Sequence, residues 1–204
     1  MATQVRTFGA ERDRKGLQRL VLMLALFTLL GLGGAGAWMI VFVQDRSLFD
    51  AVLGAGAWWW HALVGGTVGW FIAEVAWSVI KHPWLHPVRV KYTDMIGPLI
   101  PTFALQVLVS VCAGVGEELL FRGAAQYWLG IPLTAVVFVA LHGYLHPLDR
   151  RVSIYGAFMV LAMIGLGMIA QRAGLLAPMI AHTVIDIVLI GRLVRDWKMR
   201  ESAS

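Results

Sequence analysis

Long apolar stretches separated by short polar connections occupy most of this chain. A helix needs about 20 apolar residues to cross a bilayer. The stretches at 18–43, 52–80, 95–125, 131–147, 152–171 and 174–194 are read as six such helices. The pattern predicts an all-α, polytopic membrane helix bundle with no internal repeat. The first apolar run, Leu20–Val43, has 24 residues. That is too long for the apolar region of a cleaved signal, so it is expected to remain as a helix. The stretch at 95–125 is long enough to tilt or break, at Gly114 or Gly116. Glycines at Gly31, Gly33 and Gly34 and at Gly65 and Gly66 predict close helix approach. Trp58, Trp59 and Trp60 read as an interfacial aromatic belt.

Composition supports the membrane reading. The 204 residues are 59% hydrophobic and 14% charged, with mean hydropathy +0.73, whereas soluble domains carry about 25% charged residues. The lone Cys112 excludes an intrachain disulfide framework and is expected to be an inert buried thiol. The expected organisation is a two-helix segment over 1–94, a core over 95–195 and a tail over 196–204. The net charge of +5 does not point to nucleic acid, because the basic residues sit beside apolar segments. They alternate with the crossings. The N-terminal segment has Arg12, Arg14, Lys15 and Arg19; the loop after the second has Lys81, Arg89 and Lys91; the loop after the fourth has Arg150 and Arg151; the C-terminal tail has Arg192, Arg195, Lys198 and Arg200. The intervening connections have only Arg46 and Arg172, the latter expected in a loop. By the positive-inside rule both termini face the cytoplasm, as an even number of crossings requires.

Against this background a few ionisable residues stand out. Met95–Gly116 is a 22-residue stretch without Asp, Glu, Lys or Arg, and Glu117, Glu118 and Arg122 abut it. Ionisable groups at such positions are expensive to bury and mark functional sites by default. Glu118 and Arg122 are four residues apart with the acid first, the favoured order for a helical ion pair. Glu117 points about 100° away around the helix and is free of that pair. Phe138 can pack on His142 four residues later. Asp186 can accept from a ring nitrogen of His182 and so set its tautomer. Glu74, within the second stretch, either lines the same cavity or pairs with a base. His61 and His146 are read as interfacial or packing residues.

Taken singly, each group has a plain alternative: an acid–guanidinium pair is more often structural than catalytic, and a histidine in an apolar helix usually packs. Three groups in three crossings, each with a partner four residues away, favour a shared polar cavity. Depths taken from span midpoints leave a gap. Glu117 falls about 9–10 Å to the outer side, His142 about 5 Å to the inner side and His182 about 3 Å to the outer side. That spread of roughly 15 Å is too wide for contact unless the third span breaks or tilts.

Glu117-Glu118-x-x-x-Arg122, Phe138-x-x-x-His142 and His182-x-x-x-Asp186, in this order, resemble the CPBP intramembrane protease family, which includes the CAAX prenyl endopeptidases and the Abi proteins. The local text Gly116-Glu117-Glu118-Leu119-Leu120-Phe121-Arg122-Gly123 is close to the family pattern, and the resemblance covers roughly 95–190. It implies peptide-bond hydrolysis in or beside the membrane. Glu117 and His142 would activate water, His182 and Asp186 would stabilise the oxyanion, and Glu118, Arg122 and Phe138 would support the site. The third motif often ends in Asn. An ionised Asp186 has no hydrogen to donate to an oxyanion, so it is either protonated or orients His182.

The expected function is therefore intramembrane endopeptidase activity on a membrane-associated protein or peptide: a prenylated tail, a bacteriocin leader or a sorting-tag segment. Glu117, His142 and His182 also form a set of the kind that holds catalytic zinc. The His-Glu-x-x-His spacing is absent, and metal-independent glutamate catalysis, without a cofactor, is preferred. The alternative is a non-enzymatic membrane protein that retains the motifs, either an immunity or assembly factor or a proton-coupled carrier. The bilayer and the peptide are the expected partners, and a bacterial inner membrane is the expected location.

Overall fold

The computed structural model describes residues 16–54 and 56–203; the basic residues Arg12, Arg14 and Lys15 lie outside them. The described residues are helical throughout their length apart from connections, with no strand. The helices are α1 (Gly16–Val43), α2 (Leu48–Leu53), α3 (Trp58–Ile80), α4 (His86–Ile96), α5 (Phe103–Glu118), α6 (Gln126–Leu141), α7 (Arg150–Ala173) and α8 (Leu176–Glu201). Local chemistry sets several boundaries. Ser47 accepts from the Asp50 N–H at the start of α2, Thr102 Oγ1 accepts from Leu105 at the start of α5, and Asp149 Oδ1 accepts from Arg151 and Val152 at the start of α7. Such caps satisfy amides that the first helical turn leaves without partners.

Five helical runs are long and apolar enough to cross a membrane: Gly16–Val43, Trp58–Ile80, Phe103–Leu141, Arg150–Ala173 and Leu176–Glu201. The third has 39 residues and would be about 58 Å long if straight. It is a hairpin instead. α5 continues through a wide π-helical turn, Leu119–Ala125, into α6, which breaks at Gly130 (φ 69°, ψ 171°) just before Pro132. A side chain at that φ is strained, and Pro132 cannot supply the amide that a continuing helix requires. Residues on either side of the break consequently meet. Phe121 packs edge-on against Phe138 with centroids 5.0 Å apart, and Glu117 reaches His142. The five runs thus make about six passes.

The packing orders these passes. α1 runs parallel to the first arm of the hairpin, its Gly33 against Gly116 and its Gln44 side chain donating to the carbonyls of Gly123 and Ala124. Gly116 lies under the backbone of Thr28, so a Cβ there would force the helices apart. α3 and α8 are parallel neighbours, Gly65 against Ala177 and Gly69 against Ala181. Gly34 and Gly66, also expected to mediate approach, face open space. One end of the bundle carries α4, the start of α7, where Arg151 lies over Trp84, and the end of α8, where Arg200 pairs with Asp94 and Arg89 with Asp196. The opposite end carries 44–54, the break at Gly130, and Gly174 against Gly54. The start of α1 and the end of α8 share the first, basic end. Trp58, Trp59 and Trp60 are exposed at the opposite end, as an interfacial belt requires.

The expected bounds of the third and fourth crossings change. Residues 95–102 are not part of the third: α4 ends at Ile96, and a connection follows in which Gln106 Nε2 donates to the Ile100 carbonyl. The fourth ends at Leu141 rather than 147, because its arm reaches only part of the way back. Arg172, expected in a loop, is in the last turn of α7, where a cation opposes the helix dipole.

Candidate active site

The hairpin brings Glu117 and His142 together. Glu117 lies near the middle of the arm 103–129, about 20 Å from the break, and His142 ends the return arm about 18 Å from it. The expected separation in depth rested on misplaced span ends and is overturned. Glu117 Oε2 is 3.3 Å from His142 Nε2 and 3.9 Å from His182 Nε2, so one carboxylate oxygen faces both imidazoles. Its side chain is 13% exposed and that of His142 34%, placing the pair at the edge of the packed interior where a substrate can arrive.

Each ring is held from behind. His142 Nδ1 lies 2.7 Å from the Phe138 carbonyl oxygen. That oxygen can only accept, so Nδ1 carries the hydrogen and Nε2 is the nitrogen turned toward Glu117. The Phe138 ring stacks on His142 at 4.3 Å between centroids, the packing expected of this pair. His182 Nδ1 lies 2.9 Å from Glu118 Oε1. Glu118, fully buried, also lies 3.0 Å from Arg122 Nη1, which confirms the expected ion pair. The π-helical turn after Glu118 seats Arg122 over Phe138, 4.3 Å from its centroid, with Nη2 reaching the Met163 sulfur.

Glu118 therefore does more than pair with Arg122: it fixes the His182 tautomer. The sequence offered Asp186 for that task. Asp186 Oδ2 stands 3.8 Å from His182 Nε2, close enough for charge attraction but beyond hydrogen bonding. The link missed from the sequence joins residues 64 apart on separate helices, and no local spacing encodes it. Glu74 is not in the cluster; it pairs with Arg192, whose guanidinium lies over Trp77. His61 is buried with no hydrogen-bond partner among the described residues, a packing residue, whereas His146 sits in an exposed turn. Cys112 is buried, as expected.

A cavity of about 100 Å³ opens against this cluster, lined by His142, His182 and Asp186 together with Ile96, Tyr144 and Leu193. It faces the half of the bundle that bears α4, not the end with Gly130. Burial pushes the Tyr144 phenol well above its ordinary pKa, and Tyr155, Tyr92 and Asp186 add to the shift. The wall thus keeps a protonated hydroxyl at neutral pH. Among the described residues no group of three or more His, Cys, Asp or Glu is arranged to hold a metal ion.

The fold and cluster define a class: a membrane helix bundle with a buried acid–imidazole–guanidinium site on a helical hairpin. Residues 99–188 match the family model described as type II CAAX prenyl endopeptidase Rce1-like. The matched segment contains all three motifs, and the resemblance they carry is shown over it. No curated protein and no solved structure matches the chain. The family match supports a CAAX-type intramembrane endopeptidase in general, acting on a membrane-associated protein.

Proposed function

We propose that the chain hydrolyses a peptide bond of a membrane-associated protein, with Glu117 and His142 activating the attacking water. The observation that carries this reading is the approach of Glu117 Oε2 to His142 Nε2 at 3.3 Å. With Nδ1–H engaged at Phe138, a neutral His142 and an ionised Glu117 present two acceptors to one another. Two acceptors at that distance are reconciled by a shared proton, which leaves an ionised Glu117 beside an imidazolium. A water beside the pair gives up one hydrogen to Glu117 as its oxygen attacks the scissile carbonyl, and that proton then passes to the departing amine. General base assistance of this kind contributes about 10²–10⁴ in rate.

Charge counting supports proton handling. The cluster has three carboxyls, Glu117, Glu118 and Asp186, against one guanidinium, Arg122. Neutrality in an apolar bundle then requires two further protons, shared among Glu117, Asp186 and the two imidazoles. With Nδ1–H engaged at Glu118, His182 donates from Nε2 to an oxyanion only when doubly protonated. Glu117 and Asp186 stand within 4 Å as counter-charges.

The cavity opens toward the end rich in Arg and Lys, which the positive-inside rule assigns to the cytoplasm. That favours a substrate tail arriving from the cytoplasmic face, such as a prenylated C-terminal segment, over a tag cleaved outside, and it keeps both termini cytoplasmic in a bacterial inner membrane. We read 95–195 as the catalytic core and favour metal-independent chemistry. The test is cleavage of lipidated peptides by the purified chain in liposomes. Glu117→Gln and His142→Ala should each lower turnover by about 10²-fold or more, with dialysis against a chelator leaving the wild type unchanged. Loss of turnover on chelation, restored by zinc, would move Glu117, His142 and His182 to the role of metal ligands. Full turnover in Glu117→Gln would discard the mechanism.

A further inference from the structure

A second cavity lies at the opposite end of the bundle from the one facing the site. It has a volume of about 420 Å³ and is lined by Arg46, Arg122, Gln126, Tyr127, Gly130 and Gln171, among others. Its depth follows from the helix. Gly130 is at the break and Arg122 is eight residues earlier, so the cavity extends about 12 Å along the hairpin arm. No Asp or Glu lines it; the side chains with polar ends are two arginines, two glutamines and a tyrosine. The Arg46 guanidinium has no carboxylate partner among the described residues and donates only to Gln44 Oε1. At the floor, Arg122 is 1% exposed at its side chain. Its Nη1 stands 3.0 Å from Glu118 Oε1 yet lacks the alignment of a hydrogen bond with any described residue. Gln126 is oriented by donating to the Gly167 carbonyl, which leaves its oxygen free and fixes that wall.

We infer that this cavity binds the phosphate of an anionic phospholipid headgroup, with Arg46 at the mouth as its cation and the Glu118-paired Arg122 closing the floor. Guanidinium forks match the spacing of phosphate oxygens and retain their charge at any working pH. Arg122 is engaged by Glu118, so Arg46 is the guanidinium left to grip the phosphate, and no acid on the lining competes for it. The rim argues for a lipid over a soluble anion. Tyr127 and Trp128 are exposed beside it, and Trp58, Trp59 and Trp60 are exposed at the same end. Aromatic side chains of this kind mark headgroup depth, where phosphodiesters are the abundant anions. Asp45 and Asp50 adjoin Arg46 in sequence but do not line the cavity.

The test uses the full chain in nanodiscs of phosphatidylcholine with graded phosphatidylglycerol, and native mass spectrometry to count retained lipids. Arg46→Gln removes the charge at the mouth. Gln171→Glu places a carboxylate on the lining at near-constant shape. Both positions are exposed, so the fold is expected to tolerate both changes, and thermal unfolding in pure phosphatidylcholine discs checks this. Each variant should weaken phosphatidylglycerol retention by about tenfold or more, the range of a charge-assisted hydrogen bond. Should one variant unfold, the other carries the test. Undiminished retention in a folded variant would overturn the assignment. A parallel arm adds inorganic phosphate to phosphatidylcholine discs. Stabilisation by phosphate without any by phosphatidylglycerol would assign the cavity to a soluble anion and overturn the lipid reading.

Discussion

Glu117 and Glu118 are adjacent in sequence but face different chemistry. Glu117 is reachable, 13% exposed, and turned toward two imidazole nitrogens. Glu118 is fully buried and holds Arg122 and His182. The two glutamines should therefore separate activity from stability. Glu117→Gln should leave thermal unfolding in detergent near wild type while activity falls. Glu118→Gln or Arg122→Met should cost about 3–5 kcal/mol of stability, because either leaves a buried charge without its partner. Asp186→Asn should retain substantial turnover: Asp186 makes no hydrogen bond to His182, and an amide can donate to an oxyanion where a carboxylate cannot. The division of labour at Glu117 and Glu118 was partly legible in the sequence, because a step of about 100° separates neighbouring side chains and the i,i+4 rule pairs Glu118 with Arg122. What spacing does not contain is the third partner of Glu118: His182 arrives from α8, and only tertiary packing brings it.

At the scale of elements, the hairpin is what makes a site out of dispersed residues. Its break is local. Gly130 takes a positive φ and Pro132 lacks an amide, so Gly130→Val should cost about 1–3 kcal/mol in backbone strain and pull His142 from Glu117, lowering turnover even where the chain still inserts. Comparing unfolding with turnover for this variant checks both effects. The sequence placed a break at Gly114 or Gly116, where α5 runs on as helix; the break at Gly130 falls in the gap between the third and fourth expected crossings, and the beginning of the hairpin was not legible either. The connection at 97–102, Gly-Pro-Leu-Ile-Pro-Thr, is itself apolar, so hydrophobic patterning runs unbroken from Met95 into α5 and shifts the inferred midpoint of the span. That shift placed Glu117 too far outward and accounts for the false gap in depth. The small-residue signals were more reliable in kind than in position: Gly33 and Gly65 mediate contact as expected, but their neighbours Gly34 and Gly66 do not.

For the whole molecule, the arrangement explains how hydrolysis and a bilayer coexist. α3 and α8 lock in parallel through Gly65 and Gly69, and the Glu74–Arg192 pair ties them again toward the basic end. Glu74→Gln should accordingly lower stability while leaving turnover per folded molecule unchanged, a distinction that activity normalised to folded protein would make. The order of passes places the start of α1 and the end of α8 at one end. Reporter fusions at the two termini should therefore agree, both reading cytoplasmic, in keeping with the bias of basic residues. That bias, the number of passes and the helical class were all readable from the sequence, because lipid leaves a spanning chain few options. The opening of the site toward the basic end was not, since it depends on where the short arm of the hairpin stops.

The most direct test of the central claim compares protein termini in host membranes containing the wild type or Glu117→Gln at matched expression. Peptide hydrolysis by Glu117 and His142 predicts a set of new termini in membrane-associated proteins that is present with the wild type and lost with the variant. Identical terminal profiles under conditions in which the substrate is present would contradict it, and would make the cluster a structural or proton-carrying element of a non-enzymatic membrane protein.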